Sequence, residues 1–312
     1  MAENRDGAVK NLKRQVEAFF HNCNEGSYEA RARNKEACFR FADYLGSTTH
    51  LQKMKNAEAR HLYDYVDFMK SKGLAPATIM SDLSGIRFYY KRNGCKNELP
   101  SNDKLDLDKR ETGRYDRAWL PGEIERCYAL ANLMGRMDIV IAMDFMLHFG
   151  LRINEAASLK LIYLKRALHY GELMVTGKGG KQRAITFDES GRHRAIIEKW
   201  LAFAENSGKY PTDYLICDRK SRSVEKKKKS MQNWLIRMKK QIMEPDREEI
   251  TTAGKKPRRD TISFHGLRHT FAQHYLTELS YMKPKDAKLK VSQTLGHERI
   301  EITRVYIGDK KT

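Results

Sequence analysis

Apolar residues three and four positions apart recur through the first ninety positions, and that period commits the N-terminal third to helices rather than strands. Val9, Leu12, Val16 and Phe19 form one stripe, and Cys38, Phe41 and Leu45 a second. Leu62, Val66 and Met69 mark a third, ended by Gly73. After Pro76, a residue suited to a first helical turn, Ile79, Leu83, Ile86 and Tyr90 mark a fourth. Four short helices are expected, with these stripes as their core. The opposite faces carry Lys53, Lys55, Arg87, Lys91 and Arg92, basic side chains with the reach to touch a nucleic-acid backbone.

From about Gly94 to Ala118 the chain is rich in Asn, Pro, Ser, Asp and Gly and has little apolar period, which reads as a linker. The expected organisation is a helical domain over 1–94, a linker over 95–118 and a second domain over 119–312. One stretch breaks the helical pattern. Leu173 to Phe187 places β-branched and apolar residues on both sides of a glycine-rich reversal around Gly177, Gly179 and Gly180, the pattern of a β-hairpin. The fold class is therefore mostly α with a small antiparallel β-sheet.

Composition narrows the function. A net charge of +19, with 59 Lys plus Arg in 312 residues, suits a polyphosphate partner, and double-stranded DNA is the expected one. The cysteines at 23, 38, 95, 127 and 217 are scattered without a Cys-x-x-Cys pair, which indicates neither a zinc site nor a disulfide framework and fits a reducing cytoplasm. No apolar run approaches the roughly 20 residues of a membrane span, and the polar start is no signal peptide. Gly177-Lys178 is followed by glycine where a P-loop requires Ser or Thr, and His297-Glu298 lacks the second histidine of a zinc protease. No metal or cofactor is expected. The run Lys226 to Lys229 reads equally as an exposed loop or a DNA contact.

The chemistry concentrates near the C-terminus. His265-Gly-Leu-Arg268-His puts two groups on one helix face, and Leu295-Gly-His297 is followed nine residues later by Tyr306. Singly, Tyr306 reads as a half-buried aromatic and His265 as a helix-start histidine. Together they supply what breaking a phosphodiester without a metal demands. A phenol with an ordinary pKa near 10 is a poor nucleophile at neutral pH unless positive charge converges on it. Upstream, Gly150 ends an apolar helix and Arg152 falls in the first turn of the next, where unpaired N–H groups favour a phosphate.

Gly-Leu-Arg152-Ile-x-Glu155, His265-x-x-Arg268-His, Leu-Gly-His297 and Tyr306 match, in order, the pattern of the tyrosine recombinases, the phage integrase and Xer-type enzymes. The resemblance covers most of residues 120 to 312. It implies a catalytic domain opened by Trp119-Leu-Pro121-Gly-Glu123, preceded by a four-helix, SAM-like core-binding domain, the two closing as a clamp on duplex DNA. It further implies that Tyr306 forms a 3′-phosphotyrosyl bond and frees a 5′-hydroxyl without ATP. Arg152 and Arg268 would hold the nonbridging oxygens, Lys178 in the hairpin turn would act as general acid, and His265 and His297 would assist. Glu155 would orient the arginines from behind. Lys181 and Arg183, basic and close by, stay open as alternatives to Lys178 and as DNA contacts.

The chain also departs from the family's pattern. Between Arg268 and His297 it is several residues longer, with Tyr281-Met-Lys-Pro284-Lys as the expected insertion, and only residues 307–312 follow the tyrosine, where many members carry a helix that docks on a neighbouring subunit. No separate N-terminal domain for accessory DNA sites is evident. The expectation is an Xer-like or mobile-element enzyme, bacterial or element-encoded and cytoplasmic, exchanging strands as a tetramer on DNA through a Holliday junction. The alternatives are a type IB topoisomerase-like nicking and resealing enzyme, and a DNA-binding regulator without turnover.

Overall fold

The computed structural model describes residues 2–108, 113–217, 223–250, 254–297 and 300–308, with the side chains of residues 2–5, 178 and 300 outside that description. It divides into two compact units, Met1–Glu111 and Thr112–Thr312.

In the first unit the four apolar stripes become α1 (Ala2–Asn22), α2 (Tyr28–Thr48), α3 (Ala59–Ser71) and α4 (Pro76–Arg92). The first two are long, at 21 residues each, because good helix formers continue on the solvent side beyond the apolar stripe. The edge of α1 that is buried is Ala8, Leu12, Val16 and Phe20, a slight rotation from the expected stripe, while Cys38, Phe41, Leu45, Leu62, Val66, Ile79, Leu83 and Ile86 are buried as read. Small residues set the helix spacing. A Cβ on Gly46 would sit 2.5 Å from Val9 Cγ2, so α1 and α2 pack this closely only with glycine there.

The stretch read as a linker is taken up from both sides. Leu105 is buried in the first unit's core, with Leu99 and Leu107 packed against it. Arg87 fastens this stretch to α4 by donating to the carbonyl of Pro100 and, at 2.7 Å, to Asn102 Oδ1. All three nitrogens of Arg87, expected as a DNA contact, make a hydrogen bond within this unit. Arg92 pairs with Glu25 at 2.7 Å with half of each side chain exposed, and Lys91 is exposed. Residues 109–112 lie outside the described residues.

The second unit opens with an extended strap over 113–120, laid along the helix that carries His265. Trp119 N–H donates to Thr270 Oγ1 at 2.8 Å, the Trp119 indole to the Ser263 carbonyl at 2.8 Å, and Gln273 Nε2 to Asp116 Oδ1 at 2.9 Å. Next come α5 (Pro121–Leu133) and α6 (Met137–His148). Ile139 through Met146 of α6 are all buried, so this helix is the centre of the core rather than a surface helix with one apolar stripe. Its one buried carboxylate, Asp144, is satisfied by Tyr128 Oη at 2.5 Å and Trp200 Nε1 at 2.7 Å, which keeps a charge tolerable there.

Beyond α6 follow α7 (Ile153–Ala157) and α8 (Leu161–Tyr170), then the hairpin of β1 (Glu172–Thr176) and β2 (Gln182–Thr186). The strands are antiparallel, with Leu173 opposite Ile185 and Val175 opposite Arg183. Four longer helices, α9 (Arg192–Asn206), α10 (Val224–Ile242), α11 (Phe264–Glu278) and α12 (Pro284–Leu295), and the short α13 (Ile300–Ile307) complete the described unit. Lys226 to Lys229 lie in the first turns of α10, whose start is capped by Ser223 Oγ accepting from Lys226 N–H. The loop reading of that run is therefore corrected to a helix. Tyr281 to Lys283 form the turn between α11 and α12, with Pro284 as first helical residue. Among the described residues no helix is long and apolar enough to cross a membrane.

Gly150 turns the chain between α6 and α7 at φ +61°, and a Cβ there would lie 2.5 Å from Phe271 Cδ1. Gly150→Ala combines left-handed strain with a clash against a ring of α11, so it is expected to lower stability by about 2–4 kcal/mol. Urea denaturation measures this, and a change below about 0.5 kcal/mol would show that the turn relaxes freely.

Candidate active site

Glu155 is the centre around which the site is built. Arg152 caps the start of α7, one residue before the helical turn in which the sequence placed it, and its N–H donates to Glu155 Oε2 at 2.8 Å. The three-residue spacing that permits this backbone contact also brings Arg152 Nη1 to Glu155 Oε1 at 2.8 Å. From β2, Arg183 grips the same carboxylate with both terminal nitrogens, Nη1 to Oε1 at 2.9 Å and Nη2 to Oε2 at 2.8 Å. Arg268 Nη1 stands 4.0 Å from Oε2. Burial of Glu155 opposes its ionisation, but the hydrogen bonds and charge of Arg183, the Arg152 N–H and the charge of Arg268 outweigh it and hold the carboxyl at about 2.

Arg268, in the second turn of α11, is fully buried. Its terminal nitrogens donate to the carbonyls of Gly150 and Leu295, so one guanidinium ties the α6–α7 turn to the end of α12. Burial, then the charge of Arg152, lower its pKa to about 10, which leaves it cationic at neutral pH. Its Nε is buried with no hydrogen-bond partner among the described residues. A buried, charged donor left open is costly unless something arrives to accept from it.

Tyr306 lies on α13, 8% exposed. Its ring centroid is 4.3 Å from that of His269 in a near-parallel stack, 4.6 Å from His297 and 5.3 Å from His265, and the Arg268 guanidinium carbon is 5.6 Å away. His297 is oriented through Nδ1, 2.9 Å from Thr303 Oγ1, and its Nε2 faces Arg268 Nη2 at 3.4 Å. The turn that delivers His297 requires glycine. Gly296 caps α12 at φ +64°, and a Cβ there would meet Arg183 Cδ at 2.8 Å.

All three rings are uncharged at neutral pH. Burial, then the charges of Arg268, Arg152 and Arg183, push His297 down to about 3; burial, His265 and Arg117 push His269 to about 2. His265 keeps an exposed edge, yet the packing around the rest of its ring, with Arg268, Arg117 and Arg152 near, lowers it to about 4. Below their ordinary value of 6.5 the unfolded chain binds protons that these folded rings refuse, so stability present above pH 6.5 is lost as the pH falls towards 4. The melting temperature is expected to drop between pH 7 and pH 5, with a shallower slope in His269→Gln. An unchanged slope in that variant would remove His269 as a source of the effect.

The structure thus brings Arg152, Glu155, His265, Arg268, His297 and Tyr306 together. Lys178 starts the turn of the hairpin, over Lys178–Gly180, and its side chain lies outside the described residues. Lys181 is exposed where the hairpin closes, its carbonyl accepting from Gly177 N–H at 2.7 Å. Arg183 is turned inward. Read as a lysine alternative or a DNA contact, it is nine-tenths buried and bonded to Glu155 and, through Nε at 2.9 Å, to the Thr294 carbonyl. Strand alternation carried a signal for this, because Arg183 shares its face with the buried Ile185. Sequence reasoning also passed over His269, although its spacing of four from His265 puts both on one face of α11. No group of three or more His, Cys, Asp or Glu among the described residues is arranged to hold a metal ion.

Fold and site together define a tyrosine recombinase. The phage integrase family model matches residues 121–312. The chain belongs to the phage integrase family. It is similar to tyrosine recombinase XerD of Xanthomonas campestris pv. campestris, 26% identical over 270 residues that cover 81% of this chain and 74% of that protein. Tyrosine recombinase XerC of Escherichia coli O157:H7 is 24% identical over 286 residues, 88% of this chain and 82% of that protein. Among solved structures, XerH site-specific recombinase bound to difH substrate aligns with a TM-score of 0.59 at 20% identity, over 95% of this chain and 82% of that one. A lambda integrase tetramer bound to a Holliday junction aligns at 0.65 and 14% identity, over 97% and 79%. At these identities the structures establish the shared fold.

Proposed function

We propose that this chain is a site-specific DNA recombinase that cuts and rejoins strands through a covalent bond to Tyr306. The observation that carries the reading is the enclosure of one nearly buried phenol by three uncharged histidines and a buried arginine with an open donor. The phenol oxygen attacks the scissile phosphorus, the bond to the 5′-oxygen breaks, and Lys178 supplies the proton that leaves with it. Because the new phosphodiester keeps the bond energy, the reverse attack by a 5′-hydroxyl reseals DNA without ATP.

Each neighbour has a task in this scheme. Arg152, one-third exposed, and Arg268, through its open Nε, hold the nonbridging oxygens and stabilise the charge that grows on them. The histidines, uncharged at neutral pH, are able to accept the phenolic proton or a hydrogen bond, which a histidinium is not. Glu155 keeps the cations apart and aimed. The first unit serves as the core-binding domain, with Lys91 and Arg92 as DNA-backbone contacts, and Lys181 touches DNA from the hairpin. Solved relatives bound to a recombination substrate and, as a tetramer, to a Holliday junction support strand exchange between two DNA sites by four copies of this chain.

The reading is tested by incubating the protein with nicked duplexes taken from the flanks of its own gene and resolving the products in SDS. A DNA-linked species whose tryptic peptide carries the nucleotide on Tyr306 is expected. DNA that is bound and never linked would favour a regulator without turnover, and relaxation of supercoiled plasmid by a monomer without strand exchange would favour the topoisomerase-like alternative.

A further inference from the structure

Arg183, open from the sequence as an alternative to Lys178 or a DNA contact, joins three segments that the proposed chemistry needs in register. Its two terminal nitrogens take both oxygens of Glu155, the residue that also holds Arg152. Its Nε takes the carbonyl of Thr294, in the last turn of α12 just before Leu295-Gly296-His297. Its own backbone is in β2, opposite Val175 and five residues after Lys178, in a hairpin closed by the Gly177 N–H to Lys181 carbonyl bond. Gly296 and Gly177 both leave room for this arrangement: a Cβ at the first would strike Arg183 Cδ at 2.8 Å, and one at the second would come within 3.3 Å of Glu155 Oε1.

A two-stranded hairpin has little stability of its own, so its place relative to α7 must come from outside the strands. The bidentate pair to Glu155 is the polar tie that does this, and its planar fork fixes orientation as well as distance. We propose that Arg183 is a positioning residue that locks the Lys178 hairpin against the arginine cluster, so that the proton donor stands over the leaving 5′-oxygen when Tyr306 attacks. This rests on the reading of the function given above. Arg183 itself touches no substrate. Without it the hairpin swings, the arginines keep the phosphate, and the leaving oxygen departs without a proton.

The test separates loss of the proton donor from loss of the site. Cleavage is measured on a nicked duplex with an ordinary phosphodiester and on one whose bridging 5′-oxygen is replaced by sulfur, a leaving group that needs no general acid. Arg183→Gln is expected to cleave the ordinary substrate roughly 10²–10³-fold more slowly, as Lys178→Ala does, and to return to within about tenfold of wild type on the sulfur substrate. Arg183→Lys, which keeps one charge but loses the fork, should fall between. Melting curves for both variants check folding, and if Arg183→Gln does not fold, Arg183→Lys carries the comparison. Wild-type-like cleavage by the variants, or equal loss on both substrates, overturns the positioning role. Failure of the wild type to link to either substrate instead overturns the proposed function.

Discussion

Tyr306→Phe is expected to eliminate the SDS-resistant DNA adduct while leaving DNA affinity and folding nearly unchanged. The reason lies in what the ring does apart from its hydroxyl. It stacks on His269 at 4.3 Å and packs among Phe271, Ala272, Val291 and Leu295, contacts that phenylalanine reproduces. Stability should shift by no more than about 1 kcal/mol, the net worth of one hydrogen bond. Cleavage should fall by roughly 10⁶-fold, the scale seen when a covalent nucleophile is removed. Gel mobility shift, thermal melting and adduct formation on one preparation decide the matter. An adduct that persists in the variant would move the nucleophile elsewhere, and a collapse of stability would make Tyr306 a core residue first.

Glu155→Ala should have the second largest effect, and on both stability and activity. It strips the partner from Arg183, whose side chain is 10% exposed, and leaves Arg268 beside Arg152 with no counter-charge at 4.0 Å. Breaking a buried pair by removing one member costs about 3–5 kcal/mol, because the remaining charge stays desolvated. Arg152 is one-third exposed and contributes less to that loss. Urea denaturation and adduct yield should therefore fall together, in contrast to Tyr306→Phe, where only the yield falls. Glu155→Gln keeps the shape without the charge and should recover part of the stability but little of the activity. Since burial first opposes and the arginines then restore its ionisation, the stabilising charge is present above the ordinary 4.5 and is lost only as the pH falls through about 2. The acid sensitivity expected between pH 7 and 5 belongs to the histidines instead.

The helices of the first unit were legible because each carries its apolar residues at one period on one face, and burial follows that face. Their lengths were less so, since solvent-facing residues extend a helix without leaving an apolar mark. Lys226 to Lys229 shows the same blindness: a charge run has no period, so the capping Ser223 and the apolar Met231, Trp234 and Leu235 further along decide that it is helical. Residues 113–118 of the strap carry no local period, and the order of Asp116 comes from a bond to Gln273 of α11, more than 140 residues away.

The sequence by itself picked out the side chains to which the proposed chemistry is assigned. Arg152, Lys178, His265, Arg268, His297 and Tyr306 stand at spacings that name them, and Gly150 and Gly296 sit where only a residue without Cβ accepts the left-handed turn and the neighbour beyond it. Only the tertiary structure decided what those side chains do to one another. The burial that neutralises the three histidines, the carboxylate shared by Arg152 and Arg183, and the turning inward of Arg87 and Arg183 all depend on distances between segments 13 to more than 100 residues apart. Local period and motif spacing cannot encode such distances, because electrostatic and hydrogen-bond partners are chosen by where packed helices and strands bring them, and that choice is made by the core as a whole.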